Sequence, residues 1–499
     1  ASRRVKRNVV AVMVAVLLAA LVVGATRHWS GWRVVPGIRR VVTSSPEDTS
    51  LHTRLLALRA ANEAFWEHPL IGWGPEHALV ALNAHYIPGY LVYEEAWFDR
   101  VHNIVADVAV MRGIAGLLAS AGMLAFTVGV LFARSRRTKN YGVAALGAGV
   151  IAYLTQDLFF FDHPSALLLL FAIFAFAWRL WDEERSVLEE GKIALQNDSR
   201  LRAARGAAAA AVGGLAVYLI VMTAVVPLAQ LWWYSWKTGI ATGNKVVRGA
   251  ELLRELPWLF SPYTVVQPEL RRSLVDMLVA GGAFQRREFA PLTKIATAAL
   301  AEAAWRQQNY DPRLFLTLAE AYNELGKHDA RFLARGKEVL EAARRLAPKR
   351  QDYYALLAFN RLLAGEKEQA VALARTGVAL APTAPRPRLN LGILLALAGK
   401  TYWNESLREL DRLIESYRGF SLGDVRNMVN VLGMMVRGFV LDSDAEGVEK
   451  AAAVIQKVGM LGEGKIYAAL RENGALLENL AQQGNWRALR EMVGAVPSN

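Results

Sequence analysis

The pattern of hydrophobic and polar positions divides the chain into two halves of different texture. Up to about position 236 the apolar residues gather into long uncharged runs. These are Val9–Thr26 (18 residues), Gly113–Ala133 (21), Asn140–Gln156 (17, extended past Asp157 by Leu158–Phe161), Pro164–Trp178 (15) and Gly206–Trp236 (31). A helix that crosses a bilayer needs about 20 predominantly apolar residues, with about 17–25 tolerated. The runs therefore predict membrane helices over 9–26, 113–133, 140–161, 164–178 and 206–236. The third and fourth form a hairpin turning at Asp162-His163-Pro164. A buried globular core rarely keeps charge out for so long.

From about Lys237 the texture changes to short amphipathic stretches with an internal period. Pro348 and Pro382 stand 34 residues apart, as do Gly365 and Gly399. Leu346-Ala347-Pro348 matches Leu380-Ala381-Pro382, and Leu363-Ala364-Gly365 matches Leu397-Ala398-Gly399. Leu318–Gly326 forms a further unit upstream, offset by a small insertion. Glycine would end the first helix of each pair and proline close the second. A pair cannot bury its apolar face alone, so such units stack. The period resembles that of tetratricopeptide repeats. The predicted fold class is all-α: polytopic transmembrane helices with a long extracytoplasmic loop, then a tetratricopeptide-like helical solenoid over 237–499.

Charge adds topology. The net charge is +13, yet the basic residues form no stripe among aromatics that would suggest nucleic acid. They flank the apolar runs instead: Arg3, Arg4, Lys6 and Arg7 before the first, Arg134, Arg136, Arg137 and Lys139 between the second and third, and Arg200, Arg202 and Arg205 before the fifth. Basic flanks face the cytoplasm. The N-terminus, the 134–139 loop and a linker over 181–205 are thus expected inside, and the 27–112 loop and the repeat region outside. Trp232-Trp233-Tyr234 and Trp236 read as an interfacial belt. The chain has no cysteine, which excludes disulfides and thiol chemistry. It opens Ala1-Ser2-Arg3 without a methionine. A signal peptide is one reading of this start; a piece of a longer protein fits the long first run better.

Six of the eight histidines fall between His28 and His102. No His-Glu-x-x-His occurs and no pair has helical metal-ligand spacing, so no metal site is expected. There is likewise no nucleophile elbow and no phosphate-cradling loop. Two other stretches of the same loop carry more information. Arg54 opens an amphipathic segment through Arg59 that runs, fifteen residues after Arg54, into Pro69-Leu70-Ile71-Gly72-Trp73-Gly74-Pro75. Then Val101-His102-Asn103 precedes, by eleven residues, Gly113-Ile114-Ala115-Gly116 at the mouth of a membrane run.

Together and in this order, these stretches over residues 1–180 resemble the O-antigen ligase and polysaccharide polymerase family of membrane glycosyltransferases. The resemblance implies transfer of a glycan from an undecaprenyl-diphosphate carrier to a hydroxyl acceptor, lipid or glycan, by an inverting displacement without metal or other cofactor. It places His102 as the catalytic base and Arg54 on the diphosphate. Both assignments suit the residue types: imidazole titrates near neutral pH, and guanidinium is a permanent planar grip for phosphate oxygens. Arg59, five residues along the helix, faces elsewhere and is a second candidate for the diphosphate, with Arg100 a third. Asn103 could orient the imidazole or cap the following helix, and Gly72 and Gly74 shape a turn. Glu94, Glu95 and Asp99 are rival bases. The family generally has more membrane helices than the four that precede the linker here, which again suggests a piece of a longer chain. Membrane lipids and a protein partner on the repeat domain are expected. Two alternatives stay open: a non-enzymatic membrane-anchored scaffold for envelope polysaccharide assembly, and a protein O-oligosaccharyltransferase.

Overall fold

The computed structural model describes residues 14, 18, 21–34, 49–158, 164–189, 206, 210, 213–214, 266–307 and 310–494. Every element of regular structure among them is helical. Most of the 9–26 and 206–236 runs, the turn at Asp162-His163, the linker beyond Glu189 and the stretch 237–265 lie outside the described residues. The chain forms two compact units: Ala1–His85 with Ala96–Tyr218, and Tyr86–Glu95 with Leu219–Asn499.

In the first unit, α1 (Thr49–Glu67) and α2 (Ala78–Ala84) lead to three longer helices: α3 (Ile104–Thr138), α4 (Tyr141–Asp157) and α5 (Pro164–Glu189). The Asn103 and Asn140 side chains accept from Ala106 N–H and Gly142 N–H and so cap α3 and α4. Among the described residues α3 is the one helix long and apolar enough to cross a membrane. Only 11% of its most apolar stretch is buried, the reverse of a core helix in a water-soluble domain. With 17 residues α4 reaches about 25 Å at 1.5 Å per residue, short of a hydrocarbon core of about 30 Å. Helix α5 runs on past Trp178, where its apolar run ends, into the segment expected to be a linker. Charge ends compatibility with lipid but not with helix, and Arg179 pairs with Glu183 one turn on at 3.0 Å. The three helices meet at Leu131, Val143, Ala177 and Leu180. At Gly147 an added Cβ would stand 3.2 Å from the Phe132 ring, so a small residue lets α4 approach α3 closely.

The second unit is built of helix pairs. After α6 (Val266–Ala280) and α7 (Ala290–Glu302) come α8 (Pro312–Gly326) with α9 (Arg331–Leu346), α10 (Gln351–Leu363) with α11 (Lys367–Leu380), and α12 (Pro385–Ala398) with α13 (Trp403–Ser416). The first helices of the last two pairs start 385 − 351 = 34 residues apart. Gly365 (φ +84°) and Gly399 (φ +122°) turn the chain after α10 and α12, where a side chain would be strained. Buried Asn323 and Asn360 tie neighbouring pairs. Asn360 Nδ2 donates to Asn323 Oδ1 at 2.7 Å and to Leu333 O at 3.0 Å, while Asn323 Nδ2 donates to Leu356 O at 3.1 Å. Four more helices, Leu422–Leu441, Ala445–Gly459, Lys465–Gln482 and Trp486–Met492, close the unit over a core centred on Leu432, Met435 and Val448.

Candidate active site

The alanines of α1 set the first contact. Ala57, Ala60, Ala61 and Ala64 fall on one side of the helix and are all buried. Helix α1 packs on α3. Arg54 is half-buried at the border of this alanine face. Arg59 lies about 140° further round the helix; it is exposed and pairs with Glu63 at 3.5 Å.

The segment after α1 then docks, backbone to backbone, on a break in α3. Gly113 has φ +62° and ψ −164°, outside the helical region, so the hydrogen-bond ladder of α3 is interrupted there. The freed groups are taken up by the turn. Trp73 N–H donates to Val110 O (2.9 Å) and Gly74 N–H to Met111 O (2.9 Å). Ile114 N–H donates to Pro69 O (2.8 Å) and Ala115 N–H to Leu70 O (3.2 Å). Buried backbone groups must be paired somewhere, and here each segment pairs the other's. Two glycines make the approach possible. A Cβ on Gly72 (φ +70°) would come within 2.4–2.6 Å of backbone atoms of Val110, Met111 and Arg112. A Cβ on Gly113 would meet the backbone of Leu70 and Ile71 at 2.4–2.6 Å. Gly74 also has positive φ, +108°. Trp73 bolts the turn to α1 by donating from Nε1 to Ala64 O at 2.9 Å.

His102 lies on the approach to α3. Its φ is +59°, a left-handed conformation unusual for a residue with a side chain. Both neighbours hold it there. Val101 is fully buried, and its N–H donates to the buried Asp107 carboxylate at 2.8 Å. Asn103 caps α3 with Oδ1 and donates from Nδ2 to Leu158 O, at the end of α4, at 2.9 Å. Asn103 therefore has a structural task at each end of its amide. The His102 ring stands edge-on to Phe98, centroids 5.2 Å apart. Non-glycine residues held in such conformations concentrate at functional sites.

Arg100 pairs with Glu76 through Nη2 and rests Nη1 on Met111 Sδ at 3.5 Å. Of the rival bases, Glu95 is gripped by Arg386 and Glu94 is exposed. Three clustered histidines have packing partners: His68 and His85 stand edge-on to Trp73, His85 Nε2 also meets Glu67 Oε2 at 2.7 Å, and His77 Nδ1 lies 2.7 Å from Pro75 O. The turn thus joins the C-terminal half of α1, through Ala64, to the break in α3, eleven residues after His102.

Residues 1–121 match the family model described as O-antigen ligase. The matched stretch holds Arg54, the glycine turn, His102 and the break at Gly113, and it ends inside α3. The O-antigen ligase match supports a glycosyltransferase-type, membrane-associated activity for this part of the chain, with a lipid-linked glycan and an acceptor as general partners. No curated protein matches the chain. The spacing of the two motifs singles out Arg54, the glycines of the turn and His102 as candidates within that stretch. What it does not contain is the pairing of Gly72 with Gly113, since neither glycine announces a partner 41 positions away.

Proposed function

We propose that the chain is part of an integral-membrane glycosyltransferase of the O-antigen ligase or polymerase type, moving a glycan from an undecaprenyl-diphosphate carrier to a hydroxyl acceptor. The acceptor oxygen attacks the anomeric carbon as the bond from that carbon to the diphosphate breaks, with inversion. The His102 imidazole takes the hydroxyl proton. The leaving diphosphate needs charge neutralisation more than a proton, and Arg54 supplies it. Arg59 and Arg100, each paired with a glutamate, are secondary cations for the same diphosphate. Gly72, Gly74 and Asn103 hold the framework. The chemistry calls for no metal or other cofactor. The membrane helices cross an inner or plasma membrane, with the loop and the helix pairs, a tetratricopeptide-like array, on the outer side.

The observation that carries this reading is the docking of the Pro69–Gly74 turn on the break at Gly113. It gives the arginine helix and the His102 approach one rigid support, as a preorganised site requires. The test is glycan transfer by the full-length protein carrying His102→Ala or Arg54→Ala, at matched expression. Each change is expected to lower kcat by at least about 100-fold, Arg54→Ala also weakening binding of the lipid-linked donor. Transfer that survives both changes sinks the proposal.

A further inference from the structure

Ten residues of the long loop, Tyr86–Glu95, belong to the compact unit of helix pairs, although the chain on either side of them does not. They form a strap around a single 3-10 turn, Pro88–Val92. Three anchors hold it to two successive pairs. At its start the Arg350 guanidinium stacks over the Tyr86 ring at 4.6 Å. In the middle Gln351 Nε2 donates to Pro88 O at 3.1 Å, and Leu91 is buried against Ala381 and Ala384. At its end Arg386 grips the Glu95 carboxylate with two hydrogen bonds, 2.9 and 2.8 Å.

The receiving residues are themselves built for the task. Arg350 and Gln351 are 2% and 3% exposed, at the start of α10. Arg386 is also held by Asp424, which closes the capping box with Ser421 at the start of the helix beginning at Leu422. Burial works against the Arg386 charge, but its bonds to Glu95 and Asp424 outweigh that and keep it firmly protonated. Ala381 and Ala384 are small, and they leave the space that Leu91 fills. An aromatic, a backbone carbonyl, an apolar side chain and a carboxylate, read in order along ten residues, are what a peptide-binding surface recognises.

We propose that the helix-pair array is a peptide-binding surface whose resident ligand is the chain's own strap, Tyr86–Glu95. An outside peptide has to displace the strap to bind there. This inference does not rest on glycan transfer, and its test does not use activity.

The test vacates the surface from the loop side, leaving the helix pairs untouched. The full chain carrying Leu91→Asp with Glu95→Lys is titrated with a labelled synthetic peptide of residues 84–97. The same peptide is titrated into the unaltered chain. The vacated variant is expected to bind at least about tenfold tighter than the unaltered chain. A peptide carrying the Leu91→Asp change is expected not to bind. Equal binding to both proteins, or binding to neither, overturns the proposal. Should the double variant fail to keep its helicity, hydrogen exchange on the unaltered chain decides. The strap amides Tyr90, Tyr93 and Glu94 are expected to exchange at least about 100-fold more slowly than in the free peptide. Exchange at the free-peptide rate overturns it.

Discussion

A single backbone angle gives His102 its interest at the scale of the residue. The left-handed conformation costs a side-chain-bearing residue about 1–2 kcal/mol, and here the buried Val101–Asp107 bond and the Asn103 cap together impose it. A residue kept for its backbone alone would be glycine, which adopts this conformation freely. That distinction can be measured. His102→Gly is expected to be more stable than His102→Ala by about 1 kcal/mol in thermal or denaturant unfolding. Both are expected to lose glycan transfer alike. If His102→Gly retained transfer, the residue would be a hinge of the backbone and the imidazole would have no part in the chemistry. Arg54 and Arg59 show the same logic for charge. Two guanidiniums on one helix differ because one borders the buried alanine face and the other pairs with Glu63 in solvent.

At the scale of the element, the determinant is the mutual docking of a turn and a helix break. The four hydrogen bonds between Pro69–Gly74 and Val110–Ala115 depend on two backbones meeting where any Cβ would collide. Gly72→Ala and Gly113→Ala are each expected to destabilise the first unit by more than about 2 kcal/mol, through steric overlap added to left-handed strain. Gly122→Ala, in the same helix as Gly113 but with nothing within 4 Å of its added Cβ, serves as the control and is expected to leave stability unchanged or slightly raised. Melting of the three purified variants in one detergent checks this, and a harmless Gly72→Ala would refute the docking.

The elements themselves were legible in the sequence to different depths. Uncharged runs point to helices where α3, α4 and α5 stand, and the 34-residue recurrence agrees with the helix starts at Gln351 and Pro385, because both signals repeat along the sequence. The break within α3 showed only as Gly113-x-x-Gly116, and its partner turn only as closely spaced glycines. Backbone pairing between distant segments leaves no period. The strap was invisible for a related reason: Leu91 and Glu95 read as loop residues, one apolar and one a rival base, until Ala384 and Arg386 are seen against them.

Across the whole molecule, the two units should answer differently to their surroundings, and pH separates them. In the helix-pair unit Glu320 on α8 is pushed up to about 7. Burial is the main cause, with Asp276 and Glu324 adding repulsion and Lys327 only partly offsetting them. Asp276, hydrogen-bonded by Thr317 at 2.9 Å, is raised as well, again chiefly by burial. The sign follows from proton linkage. An unfolded glutamate releases its proton near 4.5, so between about 4.5 and 7 the folded unit holds more protons than the unfolded one. Its stability is therefore full below about pH 4.5 as far as this group is concerned, and it falls as pH rises through 7. Carboxylates such as Glu269 and Asp424 are lowered instead and act in the opposite sense, but only at more acid pH. At 1.4 kcal/mol per unit the shift could reach about 3 kcal/mol, and solvent around this half-buried group reduces that to roughly 1–3 kcal/mol. Glu320→Gln keeps the shape and removes the titration. The full-length variant is expected to gain stability in the helix-pair transition at pH 8, gain little at pH 5, and show a flatter pH dependence between them. A variant whose helix-pair transition tracks pH as steeply as the parent would show that Glu320 keeps an ordinary carboxylate pKa, with the charge tension of α8 carried elsewhere.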